Sequence, residues 1–385
     1  MKHAPLLAFL SLTLTVLACS GGAAANPALS PTSPSVTLSP TVTPGPSIFD
    51  SGRTVYGFFP SPPEMTVESL LATLDTLAQH GDVALIQKAV PWKDFLASPD
   101  GDSQDFTDER NLVAVAASKG LEPIFVIDPL NGLDRRQFSP LPTELKGADF
   151  GTPALRQAYL NYAIRLARTF HPRYLGLASE INTYADAHPD DFPRFVDLYK
   201  QTYQAIKAES PGTQIFVTFQ WEDLNHVGLF KGQGTAFRPE WSTVDAFEPD
   251  LDVLAISTYP FVAFDHASQV PPDYYEPLLG HGAKLLAVAE GGWPSTDLAP
   301  FHGSPEDQVR YLQTINEQLG GHLAFWIYLI VQDFNLEAYR PVLQAQGMGA
   351  NADTLGWFTS VGLRTYEGQP KPALATWDST RSKSQ

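Results

Sequence analysis

With 385 residues, 43% of them apolar, the chain is long enough for one large domain or two modest ones and can bury a full core. Its 42 acidic residues against 25 basic give a net charge of −17, which repels nucleic acid and anionic membrane surfaces and leaves neutral partners such as sugars open. The only cysteine is Cys19, so no disulfide can form within the chain and stability has to come from packing.

The N-terminus, "MKHAPLLAFLSLTLTVLACSGG", has a short basic start, an apolar run from Pro5 to Leu17 and small residues after it. That is the pattern of an export signal over 1–19, too short for a stable membrane span. Its end, "VLAC", resembles the lipobox of bacterial lipoproteins, which implies acylation at Cys19 and a cell-surface or periplasmic protein held to the membrane only by lipid. Residues 20–47 carry no charge and many Pro, Ser and Thr, as expected of a disordered tether.

From Ile48 the chain alternates short apolar runs with longer amphipathic ones. The short runs are 53–59, 82–90, 122–130, 173–182, 214–221, 251–261, 284–290 and 323–332. Strands apolar on both faces and separated by helices predict a parallel sheet covered all round. Eight such units over 48–380 predict a single α/β domain, a (β/α)8 TIM barrel, with 381–385 left as a disordered tail. A doubly wound sheet is the alternative, but no glycine-rich phosphate turn follows the first strand.

In such a barrel chemistry sits where the strands end. Past the apolar runs stand Gln87 and Lys88, Asp128, Glu180 with Asn182, Gln220 with Glu222, Tyr259, Glu290, and Gln332 with Asp333. Glu180 follows the fourth run and Glu290 the seventh, three strands apart around the ring, so both reach one mouth. Two carboxyl groups facing one bond are what glycoside hydrolysis requires. Trp221, Trp293, Phe261 and Tyr184 are candidate stacking platforms for a sugar, and Lys88 with Trp92 could line a neighbouring subsite.

The segments "LASEIN" around Glu180, "STYPF" around Tyr259, "AEGGWPS" around Glu290 and "FWIY" around Trp326, with the ending "GWFTSVGLRTYEGQPKPAL", together resemble the clan A retaining glycoside hydrolases. Within the clan "AEGGWPS" and "YPF" look most like the arabinogalactan endo-β-1,4-galactanases and the endo-β-1,3-glucanases. The resemblance implies Glu180 as acid/base, Glu290 as nucleophile, Tyr259 as a donor to Glu290, and Trp326 as the floor beside the cleaved bond. The acidic surface and long loops suit an open cleft and endo action on a neutral polysaccharide, and a monomer is expected. Where the clan has Asn before the acid/base, Ser179 stands here; Asn182, and with it Gln220, is left to contact substrate hydroxyls. No His-x-His or His-Glu-x-x-His pair occurs, so no metal or other cofactor is expected. The alternative is a surface glycan-binding protein that keeps the barrel and has lost turnover.

Overall fold

The structure, a computed structural model, describes residues 47–101, 103–231, 237–282 and 284–384. The expected export signal, Cys19 and nearly all of the expected tether lie outside the described residues. The described residues form eleven strands: β1 (Val55–Phe58), β2 (Val83–Ala89), β3 (Glu122–Asp128), β4 (Leu130–Asn131), β5 (Asp134–Phe138), β6 (Tyr174–Gly176), β7 (Gln214–Phe216), β8 (Thr218–Gln220), β9 (Val253–Thr258), β10 (Leu285–Gly291) and β11 (Leu323–Tyr328).

β4 and β5 pair antiparallel as a hairpin, and the other nine form one parallel sheet in the order β7-β6-β3-β2-β1-β11-β10-β9-β8. β7 and β8 are halves of the single predicted run 214–221, separated only by Val217. β7 bonds to β6 and β8 to β9, so the sheet closes on itself as an eight-membered barrel. The parallel returns are made by helices, among them Val67–His80, Gln104–Ser118, Pro153–Phe170, Phe192–Glu209 and Pro305–Leu319, and the helix Pro372–Lys383 follows the last strand. Their starts are written in the sequence: the Thr66 and Ser304 hydroxyls accept from the Ser69 and Asp307 amides, and Pro153, Pro305 and Pro372 open helices where no backbone donor is needed.

Strand alternation sorts the large residues. Phe325 of β11 points inward, its ring 5.0 Å from Tyr174 and 5.8 Å from Phe216 on the far side of the barrel. Phe49, on the turn Ile48–Ser51, closes the floor against Tyr174 at 5.2 Å. Glu122 ties that turn down, accepting from the Ser47 hydroxyl and the Ile48 amide at 2.6 Å each. Ser47, the last residue of the expected tether, is thereby tied to β3.

The expected tail at 381–385 is corrected in its first three residues, which belong to the helix Pro372–Lys383. Arg381 pairs with Asp82 at 2.8 Å, Arg53 pairs with the same carboxylate at 3.0 Å, and Trp377 donates to the His80 carbonyl at 2.7 Å. Burial alone would raise the proton affinity of Asp82, but the two guanidiniums and the Tyr56 amide outweigh it and hold the carboxyl below its usual value. A depressed carboxyl stabilises the fold above its unfolded pKa, near 4, and that contribution is lost as pH falls through the folded value. Asp82→Asn is expected to cost about 2 kcal/mol at pH 7. In urea melts the gap from the parent should close below about pH 4; a gap unchanged at pH 3 would refute the assignment.

Candidate active site

β6 ends at Gly176, but the chain stays tied to the next strand, with the Leu177 amide on the Phe216 carbonyl and the Thr218 amide on Ala178. Glu180 then takes a left-handed conformation, φ 51° and ψ 44°, immediately before the helix Ile181–Ala187. For a glutamate that costs on the order of 1–2 kcal/mol, and such strain concentrates at functional positions. The Thr218 hydroxyl fixes its amide at 2.8 Å. Its carboxylate is completely buried: Ser257 Oγ of β9 donates to Oε1 at 2.5 Å and Arg135 Nε donates to Oε2 at 3.2 Å.

Glu290 lies in β10, in register with Ser257 across a shift after Val288; an irregularity of this kind re-aims the side chain that follows. The Tyr259 hydroxyl donates to its Oε1 at 2.7 Å. Tyr259 is itself held from behind, because its amide donates to Glu222 Oε2 at 2.9 Å. Glu222 also accepts from Thr258 and Gln220 at 2.7 Å and from Tyr274 at 3.2 Å. It braces the strand end that aims Tyr259 and does not face the mouth.

The residue that sequence reasoning missed is Arg135. The β4–β5 hairpin folds over the mouth and delivers this fully buried guanidinium between Asp128, to which its Nη1 donates, and Glu180. Gln87 supports Asp128 from the neighbouring strand at 2.8 Å. A signal existed in Asn131–Gly132, a strong hairpin-turn dipeptide, but nothing local in "DRRQF" marks which arginine turns inward.

Burial pushes the Glu180 carboxyl up to about 7, against the lowering effect of Arg135 and Ser257. Burial also raises Glu290 well above the carboxylate range, and the negative charge of Glu180 raises it further. The two carboxyls are coupled, and burial makes each easier to protonate than an exposed carboxylate. Since the guanidinium sits on Glu180, this arrangement places the charge there and the proton on Glu290, the reverse of what acid and nucleophile need.

The other expected contacts fall elsewhere. Trp326 is on the outer face of β11, its ring 5.3 Å from Trp377 of the C-terminal helix, so it cannot floor the mouth. Trp221 is sealed beside Tyr275 and Trp241, and Trp293 is sealed against Phe261; neither presents a face to a ligand. Asn182 spends its amide on β8, accepting from the Gln220 amide at 2.8 Å and donating to the Gln220 carbonyl at 3.1 Å. The Gln220 side chain caps the turn Trp221–Leu224 and bonds Glu222. Asp333 pairs with Lys371 at 2.7 Å, and Tyr184 bonds Asp191 while supporting the hairpin through Phe138. The closed mouth thus assembles Glu180, Glu290 and Tyr259 of the expected set. Among the described residues, no three His, Cys, Asp or Glu side chains gather as a metal ion would need.

The fold and the paired carboxyls define a parallel (β/α)8 barrel with an acidic mouth. Solved structures share that fold. The exo-β-1,4-mannosidase Op5Man5 from Opitutaceae bacterium strain TAV5 aligns at 16% identity over 86% of this chain and 59% of its own, with a TM-score of 0.62. A GH5_18 protein from Streptomyces cattleya, in complex with GlcNAc, aligns at 18% identity over 86% of this chain and 80% of its own, TM-score 0.61. One from Bifidobacterium longum subsp. longum aligns at 14% over 86% and 79%, TM-score 0.61. At these identities the likeness is one of fold, and the chain spans less than two thirds of the mannosidase. No family model and no curated protein matches the chain.

Proposed function

We propose that the chain is a retaining glycoside hydrolase acting on β-linked neutral sugars, with Glu180 as acid/base and Glu290 as nucleophile. The observation that carries this reading is the convergence of two carboxyls from separate strands of one barrel: Ser257, the strand partner of Glu290, donates to Glu180 Oε1 at 2.5 Å. In the first step a Glu290 oxygen attacks the anomeric carbon while the glycosidic C–O bond breaks and the Glu180 proton passes to the leaving oxygen. In the second, Glu180 takes a proton from water, whose oxygen attacks the same carbon and frees Glu290. Tyr259 orients Glu290 throughout, and Arg135 has to leave Glu180 before the acid can meet a substrate oxygen.

The names of the fold neighbours favour β-mannosides as first substrates, and "AEGGWPS" keeps β-galactans and β-1,3-glucans beside them. Endo action belongs to the proposal, as does lipid anchoring through Cys19. The test is a panel of aryl β-mannosides, β-glucosides and β-galactosides, followed by proton NMR of the first-formed anomer. A β-anomer supports double displacement; an α-anomer excludes it. Loss of viscosity of the matching polysaccharide before monosaccharide appears supports endo action, and monosaccharide alone replaces it with exo action. One observation favours the second reading, a glycan-binding protein: both Glu180 oxygens are occupied in a fully buried site. Absence of turnover on every glycoside, with glycan binding retained, would select it.

A further inference from the structure

Neighbouring residues of a strand point to opposite faces. Gln87 reaches inward to Asp128, so Lys88 points outward, towards the helix Gln104–Ser118. There it enters a cavity of about 190 Å³ whose walls include Glu109, Leu130, Tyr162 and Met348. Lys88 is 6% exposed and makes no hydrogen bond or ion pair among the described residues; its nearest opposite charges are Glu109, Asp105 and Asp108. Glu109 is 1% exposed: Oε2 accepts from the Tyr162 hydroxyl at 2.9 Å, but Oε1 has no partner.

A buried ammonium and a buried carboxylate oxygen are each expensive to leave without a hydrogen-bond partner. Burial lowers the proton affinity of Lys88 and pushes Glu109 up to about 7, while their mutual attraction resists both changes. A single anion is a poor occupant, because Glu109 and Asp105 flank the ammonium. A cation is a poor one for the reciprocal reason. What satisfies both groups is a neutral molecule carrying donors and acceptors on adjacent atoms. The space is smaller than the roughly 300–1,000 Å³ of drug-sized sites, which suits one ring. Exposed Pro140 and half-buried Met348 leave it open at its rim.

We propose that the Lys88–Glu109 cavity is a second binding site, separate from the barrel mouth, that takes a single neutral polyhydroxylated ring such as one sugar residue. The choice of a sugar leans on the glycosidase reading; the cavity and its unpartnered charges do not. Leu130 and Gly132 of the hairpin form one wall, and the same hairpin carries Arg135 into the mouth, so an occupant would touch the element that covers Glu180.

The experiment uses the full chain carrying Glu180→Gln and Glu290→Gln, which removes turnover, with methyl-labelled methionine as reporter. D-mannose, D-glucose, D-galactose and N-acetylglucosamine are titrated separately. At least one is expected to shift the Met348 methyl signal while leaving Met65 unmoved, and Lys88→Met is expected to weaken that binding at least tenfold. The same substitution removes an unpartnered buried charge, so its melting temperature should not fall, which separates lost binding from lost folding. If no sugar moves Met348, the cavity holds only water and the proposal fails. It fails equally if Lys88→Met binds as well as its parent. Failure of the hydrolase reading would show instead as absent turnover in the unmodified chain with this binding intact.

Discussion

Glu290→Ala is expected to lower kcat for an activated aryl β-glycoside by about 10,000-fold, equivalent to about 5.5 kcal/mol of barrier. The reason is geometric. Tyr259 orients Glu290, Glu222 and Thr258 fix Tyr259, and β10 fixes the backbone, so no other carboxyl can move into the vacated position. Sodium azide separates the roles of the two glutamates. In Glu290→Ala it can enter where the nucleophile was and yield the α-glycosyl azide, with configuration inverted once. In Glu180→Ala the nucleophile still forms the covalent intermediate, and azide then yields the β-glycosyl azide. If Glu290→Ala gives the β-azide, or keeps more than about a tenth of parental kcat, the assignment of roles is wrong.

The barrel is legible in the chain because the barrel strands are largely apolar and the long return helices open on Thr, Ser or Pro, so fold and element order follow from patterns within about twenty residues. Glu180, Glu290 and Tyr259 were placed by the same logic, since a strand end points at the mouth whatever the loops do. Trp326 faces outward, although it is expected to floor the mouth, and "LAFWIY" is apolar throughout. Without a polar residue to set the phase, sequence does not say whether Phe325 or Trp326 faces inward, and the packing of Trp377 on the outer wall decides it. Trp221 and Trp293 are buried for a different reason: the segments that follow β8 and β10 fold back over aromatics that look exposed in sequence. Asn182 is turned away because the left-handed backbone at Glu180 starts a helix directed at β8. Arg135 gives no local signal because an arginine in a polar hairpin is normally solvated, and its burial becomes favourable only where Asp128, seven residues away, and Glu180, forty-five residues away, meet it from either side.

Arg135→Met should therefore change the pH profile in a way a purely structural residue would not. The guanidinium stabilises the charged forms of Glu180 and, more weakly, Glu290, so its removal raises the proton affinity of both. An acid that must be protonated stays active to higher pH, and a nucleophile that must be ionised needs higher pH to become so. Both limbs of the kcat/KM profile are expected to move up, by about one to two pH units. Arg135→Lys keeps a charge and should move them less. The methionine variant also leaves Asp128 buried without its cation, which should cost about 3 kcal/mol or more of stability; activities are therefore compared at a temperature where both variants are folded by circular dichroism. If the hairpin is a cover that opens for substrate, Arg135→Met should in addition lower KM, because the ion pair that holds the cover down is gone. A downward shift of either limb, or a profile identical to the parent, would show that Arg135 does not govern the proton on Glu180.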